Sequence, residues 1–140
     1  MQIKIRNDIL LKKEFFEAVT RILQTRQMTA KACLELNKVV DELTDMATIV
    51  KKTKNDIILS HCSKDENNAL MMDAKGNVVF PDFQSELSCR KALGDLNKEH
   101  VTVEMADPVT IYTDESITPQ DLKLLGGLVQ VREREVKQGT

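Results

Sequence analysis

The chain has no tryptophan, one tyrosine and only four phenylalanines among its 140 residues. A core with so few aromatic side chains must be built from aliphatic residues and methionine, and such a core favours helix packing over a β-sandwich. No apolar run approaches the roughly 18 residues of a membrane span, and no charged segment followed by an apolar one opens the chain as a secretory signal would. We therefore expect a cytoplasmic protein with no membrane span.

The sequence contains three cysteines, and their spacing matches no pairing motif. Cys33, Cys62 and Cys89 are an odd number, and none belongs to a CxxC motif. This predicts free thiols in a reducing compartment rather than a disulfide framework.

The charge is small overall but unevenly distributed. The net charge is −2; residues 1–64 hold 12 Lys and Arg against 8 Asp and Glu, a net of +4, and residues 65–140 hold 8 against 14, a net of −6. The two halves either attract each other or face different partners. The basic residues are scattered without an aromatic platform, and the pI is about 5.7. Nucleic-acid binding is therefore not expected.

The N-terminal residues predict a strand followed by a helix. Polar and apolar residues alternate over Gln2–Arg6, and Asn7 or Asp8 is the expected N-cap of a helix that runs to about Thr25. Its apolar stripe has steps of three and four residues: Leu11, Phe15, Val19, Ile22 and Leu23. A turn at residues 26–28 then leads to Thr29, the next N-cap.

The helix after Thr29 has the clearest pattern in the sequence. Its seam alternates steps of three and four residues: Leu36, Val39, Leu43, Met46, Val50, Thr53, Ile57 and Ser60. Neither Gly nor Pro occurs before Lys64, so a helix of about 30 residues with a coiled-coil-like seam is predicted. The first helix is about half as long and covers only the first half of this seam. The C-terminal half or a second copy must cover the remainder, roughly residues 50–59. We therefore predict a homodimer or higher homo-oligomer with Leu43, Met46, Val50 and Ile57 at its interface.

The second half of the chain predicts short elements. Residues 70–72 and 78–80 flank a hairpin turn in which Gly76 takes positive φ. Asp82 caps a third helix to about Lys98, whose apolar positions are Phe83, Leu87, the stem of Arg90, Leu93 and Leu96. Residues 101–105 and 109–113 are strands, the first of them the partner of the N-terminal strand. Thr118 and Pro119 begin a last helix that Gly126 and Gly127 shorten or bend. No internal repeat is recognised.

These elements predict a helix-dominated α+β fold. A long antiparallel N-terminal helical hairpin is joined by a small mixed β-sheet and short C-terminal helices. Residues 1–64 hold the N-terminal strand and the hairpin, and residues 65–131 form a small α+β half packed on it within one domain. Residues 132–140 are predicted to be a flexible tail.

No motif in the sequence carries catalysis. The adjacent His61 and Cys62, with Cys89 and His100 elsewhere, lack the paired spacing of zinc ligands and belong to no Cys–His nucleophile motif. The acidic turns near residues 65–77 fail as calcium loops, because Ala69 and Lys75 stand where oxygen ligands are needed. The glycine pair lacks a phosphate-loop context. We expect no enzymatic activity, no metal and no cofactor.

The chain opens with MQIKIRNDILLK, carries KDENNALMMDAKGNVVF in its middle, then an HVTVE strand, and ends its last helix with ITPQDLKLLGGLV. In this layout it resembles a family of small phage and prophage proteins of unassigned function. The resemblance spans nearly the whole chain and is most specific at residues 73–80 and 118–127. It implies a phage-encoded protein and supplies no catalytic residues.

Three functions follow as expectations. The first is an accessory protein that binds, and so inhibits or modulates, a host protein or an anti-phage defence component. The second is an oligomeric sponge for a small nucleotide signal, for which Arg6, Arg90, Lys91 and Tyr112 are available. The third is a structural or assembly protein of the phage particle.

Overall fold

Helices dominate the computed structural model, which describes residues 1–25, 28–112, 115 and 117–133. The helices are α1 (Asn7–Leu10), α2 (Lys13–Thr25), α3 (Ala30–His61), α4 (Phe83–Lys98) and α5 (Pro119–Leu125). The strands are β1 (Gln2–Arg6), β2 (His100–Glu104), β3 (Val109–Tyr112) and β4 (Val129–Arg132), with a single 3₁₀ turn at Gly126–Leu128. The predicted helix-dominated α+β class is confirmed.

β1 is the predicted N-terminal strand, and it pairs with the predicted partner. Its burial alternates, with Ile3 and Ile5 turned into the core. β1 runs antiparallel to β2, with Ile3 opposite Val103. The alternation of Ile with polar residues leaves only one face apolar, and that face sets the register.

The predicted helix over residues 7–25 is two helices, α1 and α2, separated by residues 11 and 12. The predicted capping role of Asn7 or Asp8 is wrong, because Arg6 is the N-cap and makes no side-chain capping bond. The buried Asn7 instead donates its Nδ2 to the carbonyl of Leu96 at 2.8 Å, while its backbone N–H donates to Glu99. Asp8 pairs with Arg6 at 2.9 Å. Both side chains are therefore engaged elsewhere.

α3 is the long helix that the sequence predicts. Thr29 accepts a hydrogen bond from the N–H of Ala32 at 3.2 Å, and the helix continues for 32 residues. Four of its five buried residues are predicted seam positions: Leu36, Val39, Leu43 and Val50. The fifth is Ala47, whereas the predicted Met46 is half-buried. These side chains join those of α2, β1 and β2 in one core.

Each of the two helices of the N-terminal hairpin, α2 and α3, packs on a helix from the C-terminal half of the chain. The most extensive helix packing is between α3 and α4 and between α2 and α5. Beyond Val50, the seam is half-buried at Thr53 and Ile57 and exposed at Ser60. The seam is therefore less buried beyond Val50 than before it.

Residues 65–69 and 73–77, here called the twin loops, have the same backbone geometry. The N–H of Asp65 donates to Ala69 at 2.9 Å, and the N–H of Asp73 donates to Asn77 at 2.8 Å. The fourth residue of each loop has positive φ, 62° at Asn68 and 79° at Gly76. The predicted turn at Gly76 is confirmed. The two loops share only their aspartate in sequence, so their likeness is one of backbone geometry and not a sequence repeat.

α4 begins where predicted but presents a different face. Asp82 accepts the N–H of Ser85 at 2.7 Å, as expected of its N-cap. The predicted apolar positions are misassigned at the start of the helix, since Phe83 is 70% exposed and Leu87 42% exposed. Cys89 is 1% exposed and faces inward instead. Farther along the helix the prediction fits better, since Leu93 and Leu96 are half-buried and Leu96 packs against the core.

The predicted mixed sheet consists of two separate strand pairs in the described part of the chain. β1 pairs with β2, while β3 runs parallel to β4, a strand that the sequence does not predict. Thr118 caps α5 as expected, and Gly126 ends it with a positive φ of 50°. Arg132, placed in the predicted tail, ends β4. Residues 26 and 27 of the predicted turn, Thr113, and residues 134–140 of the predicted tail lie outside the described residues.

Candidate functional site

A groove of about 620 Å³ lies at the start of α2. It is here called the basic groove and is lined by four cations, one carboxylate and four other side chains: Lys12, Lys13, Arg21, Lys51, Glu17, Leu10, Leu11, Phe16 and Thr20. Lys51 comes from α3, so the beginning of α2 lies beside the middle of the long helix. This placement is what an antiparallel return of α2 along α3 requires.

The break between α1 and α2 positions the two lysines at the mouth of the groove. The N–H of Lys12 donates to Ile9 at 3.0 Å, and the carbonyl of Lys12 accepts the N–H of Phe15 at 3.2 Å. These bonds form a tight corner. A corner of this kind exposes Lys12 and Lys13 while it holds Leu11 and Phe16 against the core.

The charges of the basic groove are only partly neutralised. Lys13 approaches Glu17 at 3.5 Å, and Arg21 pairs with Asp121 of α5 at 2.6 Å. Within the described residues, no carboxylate forms an ion pair with Lys12 or Lys51. An adjoining depression of about 400 Å³ shares Lys12 and adds Lys123. The surface therefore combines positive charge with half-buried apolar walls, and it favours an acidic ligand with an apolar face.

Comparison of the chain with protein-family models, with curated proteins and with solved structures gives no match. The resemblance to phage proteins therefore stays a prediction.

The four predicted interface residues occupy two different environments. Leu43 and Val50 are buried in the core of the chain itself, where they have no surface to offer a second copy. Met46 and Ile57 are half-buried. This distribution does not test the predicted homo-oligomer. It does show that Leu43 and Val50 are part of the core of the single chain.

The thiols singled out in the sequence differ in burial. Cys62 and Cys89 are buried free thiols, and Cys33 is half-buried. Burial, with a smaller contribution from the charge of Cys62, raises the pKa of the Cys89 thiol, so little of the nucleophilic thiolate forms there. His61 Nδ1 lies 2.8 Å from the Ile57 carbonyl, as at an ordinary helix end. In the described part of the chain, no three acidic, cysteine or histidine side chains gather as a metal site.

The residues considered for a nucleotide sponge belong to separate elements. Arg6 ends β1 and pairs with Asp8, whereas Arg90 on α4 pairs with Glu86 at 2.8 Å. Lys91 is exposed on α4, and Tyr112 ends β3. Each arginine pairs with a carboxylate close to it in sequence.

The sequence reasoning missed the basic groove. Its lysines come from two short pairs, Lys12-Lys13 and Lys51-Lys52, which were counted among scattered basic residues. The available signal was that an antiparallel hairpin with unequal arms brings the start of the short helix to the middle of the long one.

No helix in the described ranges is both long and apolar enough to cross a membrane.

Proposed function

We propose that this chain is a non-catalytic binding protein whose basic groove holds an acidic, amphipathic segment of a partner protein. One observation carries the proposal: four cations and a single carboxylate line a groove whose apolar walls include Leu11 and Phe16. Two of these cations, Lys12 between α1 and α2 and Lys51 of α3, have no ion-pair partner among the described residues. Acidic side chains of the partner would meet the lysines, and its apolar side chains would lie on the walls.

A protein segment fits this groove better than a nucleic acid does. Nucleic-acid binding depends on neutralising many phosphates along a track of cations, and specific single-strand binding adds stacking on aromatic faces. The basic groove offers a short cluster of cations, and its one aromatic ring, Phe16, packs edge-on against Phe15 with 5.2 Å between ring centroids. The ring is thus held partly by the core.

The resemblance to phage proteins supplies the class of partner. We propose that the segment belongs to a host protein or an anti-phage defence component, which the chain inhibits or modulates by occupying its surface. This role requires affinity and specificity but no reacting groups, in keeping with a site made of lysines and apolar walls.

The test uses a fluorescein-labelled helical peptide with glutamates on one face and leucines on the other, titrated with the full chain. Fluorescence anisotropy is expected to report saturable binding that weakens as salt is raised, because exposed charges are screened over about 10 Å at 0.1 M. Lys12→Glu and Lys51→Glu should each weaken binding about tenfold, since a charge attraction becomes a repulsion. Lys75→Glu, in the second twin loop, is the matched control and should leave the affinity unchanged.

Other outcomes overturn the proposal. Equal binding of a peptide with glutamine in place of glutamate would show that charge complementarity is not the basis of recognition. Tighter binding of ATP or a short oligonucleotide, abolished by the same two substitutions, would assign the groove to nucleotides instead. Equal loss in Lys75→Glu would show a nonspecific effect of net charge.

A further inference from the structure

The depression of about 400 Å³ beside the basic groove is here called the α5 depression. Its lining consists of two cations, one amide and three apolar side chains: Lys12, Lys123, Gln120, Ile9, Pro119 and Leu124. None of the described carboxylates lines it. Lys12 lines the basic groove as well, so this lysine stands where the two depressions adjoin. The α5 depression therefore continues the chemistry of the basic groove, with cations beside apolar walls.

The local sequence leaves Lys12 without a carboxylate partner. Asp8 precedes it by four residues, but both oxygens of that carboxylate are engaged by Arg6, whose Nε donates to Oδ1 at 3.1 Å and whose Nη2 donates to Oδ2 at 2.9 Å. The residues three and four positions after Lys12 are Phe15 and Phe16. The charge of Lys12 is therefore not neutralised by its own helices.

Lys123 of α5 is in the same situation. A helix brings together side chains that are three or four residues apart, and at those positions from Lys123 the chain has only uncharged residues: Pro119, Gln120, Gly126 and Gly127. Asp121 is two residues away, a spacing at which helical side chains do not face each other. Its carboxylate is bound instead by Arg21 of α2 at 2.6 Å. Among the described residues, neither Lys123 nor Lys12 forms an ion pair.

The two arginine pairs thus leave two lysines uncompensated around one small depression. The pair of Arg21 with Asp121 also joins α2 to α5, and these two helices pack on each other. The packing of α2 on α5 holds Lys123 on the same side of the molecule as Lys12. Like charges that line one depression repel each other, and a bound anion converts this repulsion into attraction.

We infer that the α5 depression is a second subsite for the partner segment, in which Lys12 and Lys123 together hold one glutamate carboxylate. The inference rests on the function proposed above, because the segment reaches this subsite from the basic groove past Lys12. The methylene groups of the glutamate and an adjacent aliphatic side chain would lie on Ile9 and Leu124, as apolar walls with a few polar groups require. α5 would then form part of the binding surface together with α2 and α3.

The test changes both sides of this contact. The probe is a fluorescein-labelled helical peptide of the kind described above with about 18 residues, about 27 Å long, which exceeds the roughly 20 Å of the 13-residue α2. Anisotropy titrations measure its affinity for the full wild-type chain, Lys12→Gln and Lys123→Gln. Each substitution should weaken binding about threefold. The glutamates of the peptide are then replaced by glutamine one at a time. One replacement should remove the effect of Lys123→Gln and reduce that of Lys12→Gln, because residues that share a contact are coupled.

Two control variants accompany the test. Lys123→Arg keeps the positive charge and should bind the peptide within about twofold of the wild-type affinity. Lys75→Gln removes one charge in the second twin loop and should bind it as the wild-type chain does. Circular dichroism spectra should be the same for all variants, since Lys12, Lys75 and Lys123 are exposed.

The remaining outcomes separate this inference from the proposed function. Unchanged affinity in Lys123→Gln, with the loss in Lys51→Glu retained, would refute the second subsite and leave the proposed function standing. A loss in Lys123→Gln that persists with a peptide free of glutamate would also refute it, since no carboxylate would be involved. Inorganic phosphate that weakens peptide binding to the wild-type chain but not to Lys123→Gln, at constant ionic strength, would assign the subsite to phosphate instead. A peptide that does not bind the wild-type chain at all would overturn the proposed function and this inference together.

Discussion

Asp65 and Asp73 hold the same place in the twin loops, and the Oδ1 atom of each accepts the backbone N–H groups two and four residues further along the chain. One carboxylate oxygen thus organises each loop. These hydrogen bonds explain why the acidic residues of this region form turns.

The fourth residue of each loop gives the first prediction. Gly76→Ala should destabilise the protein by about 1 kcal/mol, because an L-residue at positive φ brings its Cβ close to the following carbonyl. Asn68→Gly, the matched change in the other loop, should leave stability unchanged or raise it slightly. Urea unfolding followed by circular dichroism measures both. Equal destabilisation by the two substitutions would contradict the equivalence of the loops.

Two leucines of α3 give the second prediction. Leu43 is 0% exposed, whereas Leu34 is 72% exposed on the same helix. Leu43→Ala should lower the free energy of unfolding by about 2–5 kcal/mol, since it opens a cavity in the core. Leu34→Ala should change it by less than about 0.5 kcal/mol. A small effect at Leu43 would mean that the centre of the long helix is not packed as described.

The third prediction concerns the thiols. Iodoacetamide at neutral pH should modify Cys33 well before Cys89, because burial and the neighbouring Cys62 raise the pKa of the Cys89 thiol and keep reagent away from it. Mass spectrometry of peptides from a time course measures the order. Addition of urea should abolish the difference, and early modification of Cys89 in the native protein would refute its placement.

The fourth prediction concerns acid pH. Two hydrogen bonds from Ser85 lower the pKa of Asp82 from the usual 3.8. The bond from the backbone N–H has the larger effect, and the bond from the side chain has the smaller one. The ionised cap therefore contributes stability that is fully present above pH 3.8 and is lost as the pH falls through the lowered value. Asp82→Asn keeps a capping side chain but cannot titrate. Its thermal midpoint should fall less steeply with acid than that of the wild-type chain, and parallel curves would argue against the cap.

Much of this fold follows from local signals in the sequence. Thr29, Asp82 and Thr118 each accept a backbone N–H at the start of a helix. A hydroxyl or carboxylate side chain just before an apolar run predicts the start of a helix. The signal is local because the backbone N–H that it accepts belongs to the residue three positions later. The alternating isoleucines of β1 predict a strand for a similar local reason.

The parts that were missed depend on distant residues. Asn7 is a suitable cap by type, but the carbonyl of Leu96 engages its side chain. Cys89 of α4 faces inward whereas Phe83 and Leu87 are exposed, and the spacing of these residues alone does not indicate this. The basic groove joins Lys12 to Lys51, and only the length and direction of α2 bring these residues together.

The pairing of β1 with β2 has a consequence for how the chain is made. Gln2 lies opposite Glu104, and the N–H of Asn7 donates to Glu99. β1 therefore leaves the ribosome long before its partner is synthesised, and closing so long a loop is slow relative to forming a helix. We expect α3 to form early in translation, while β1 remains an open strand edge until β2 has been synthesised. A chaperone or a neighbouring nascent chain would meet that edge first.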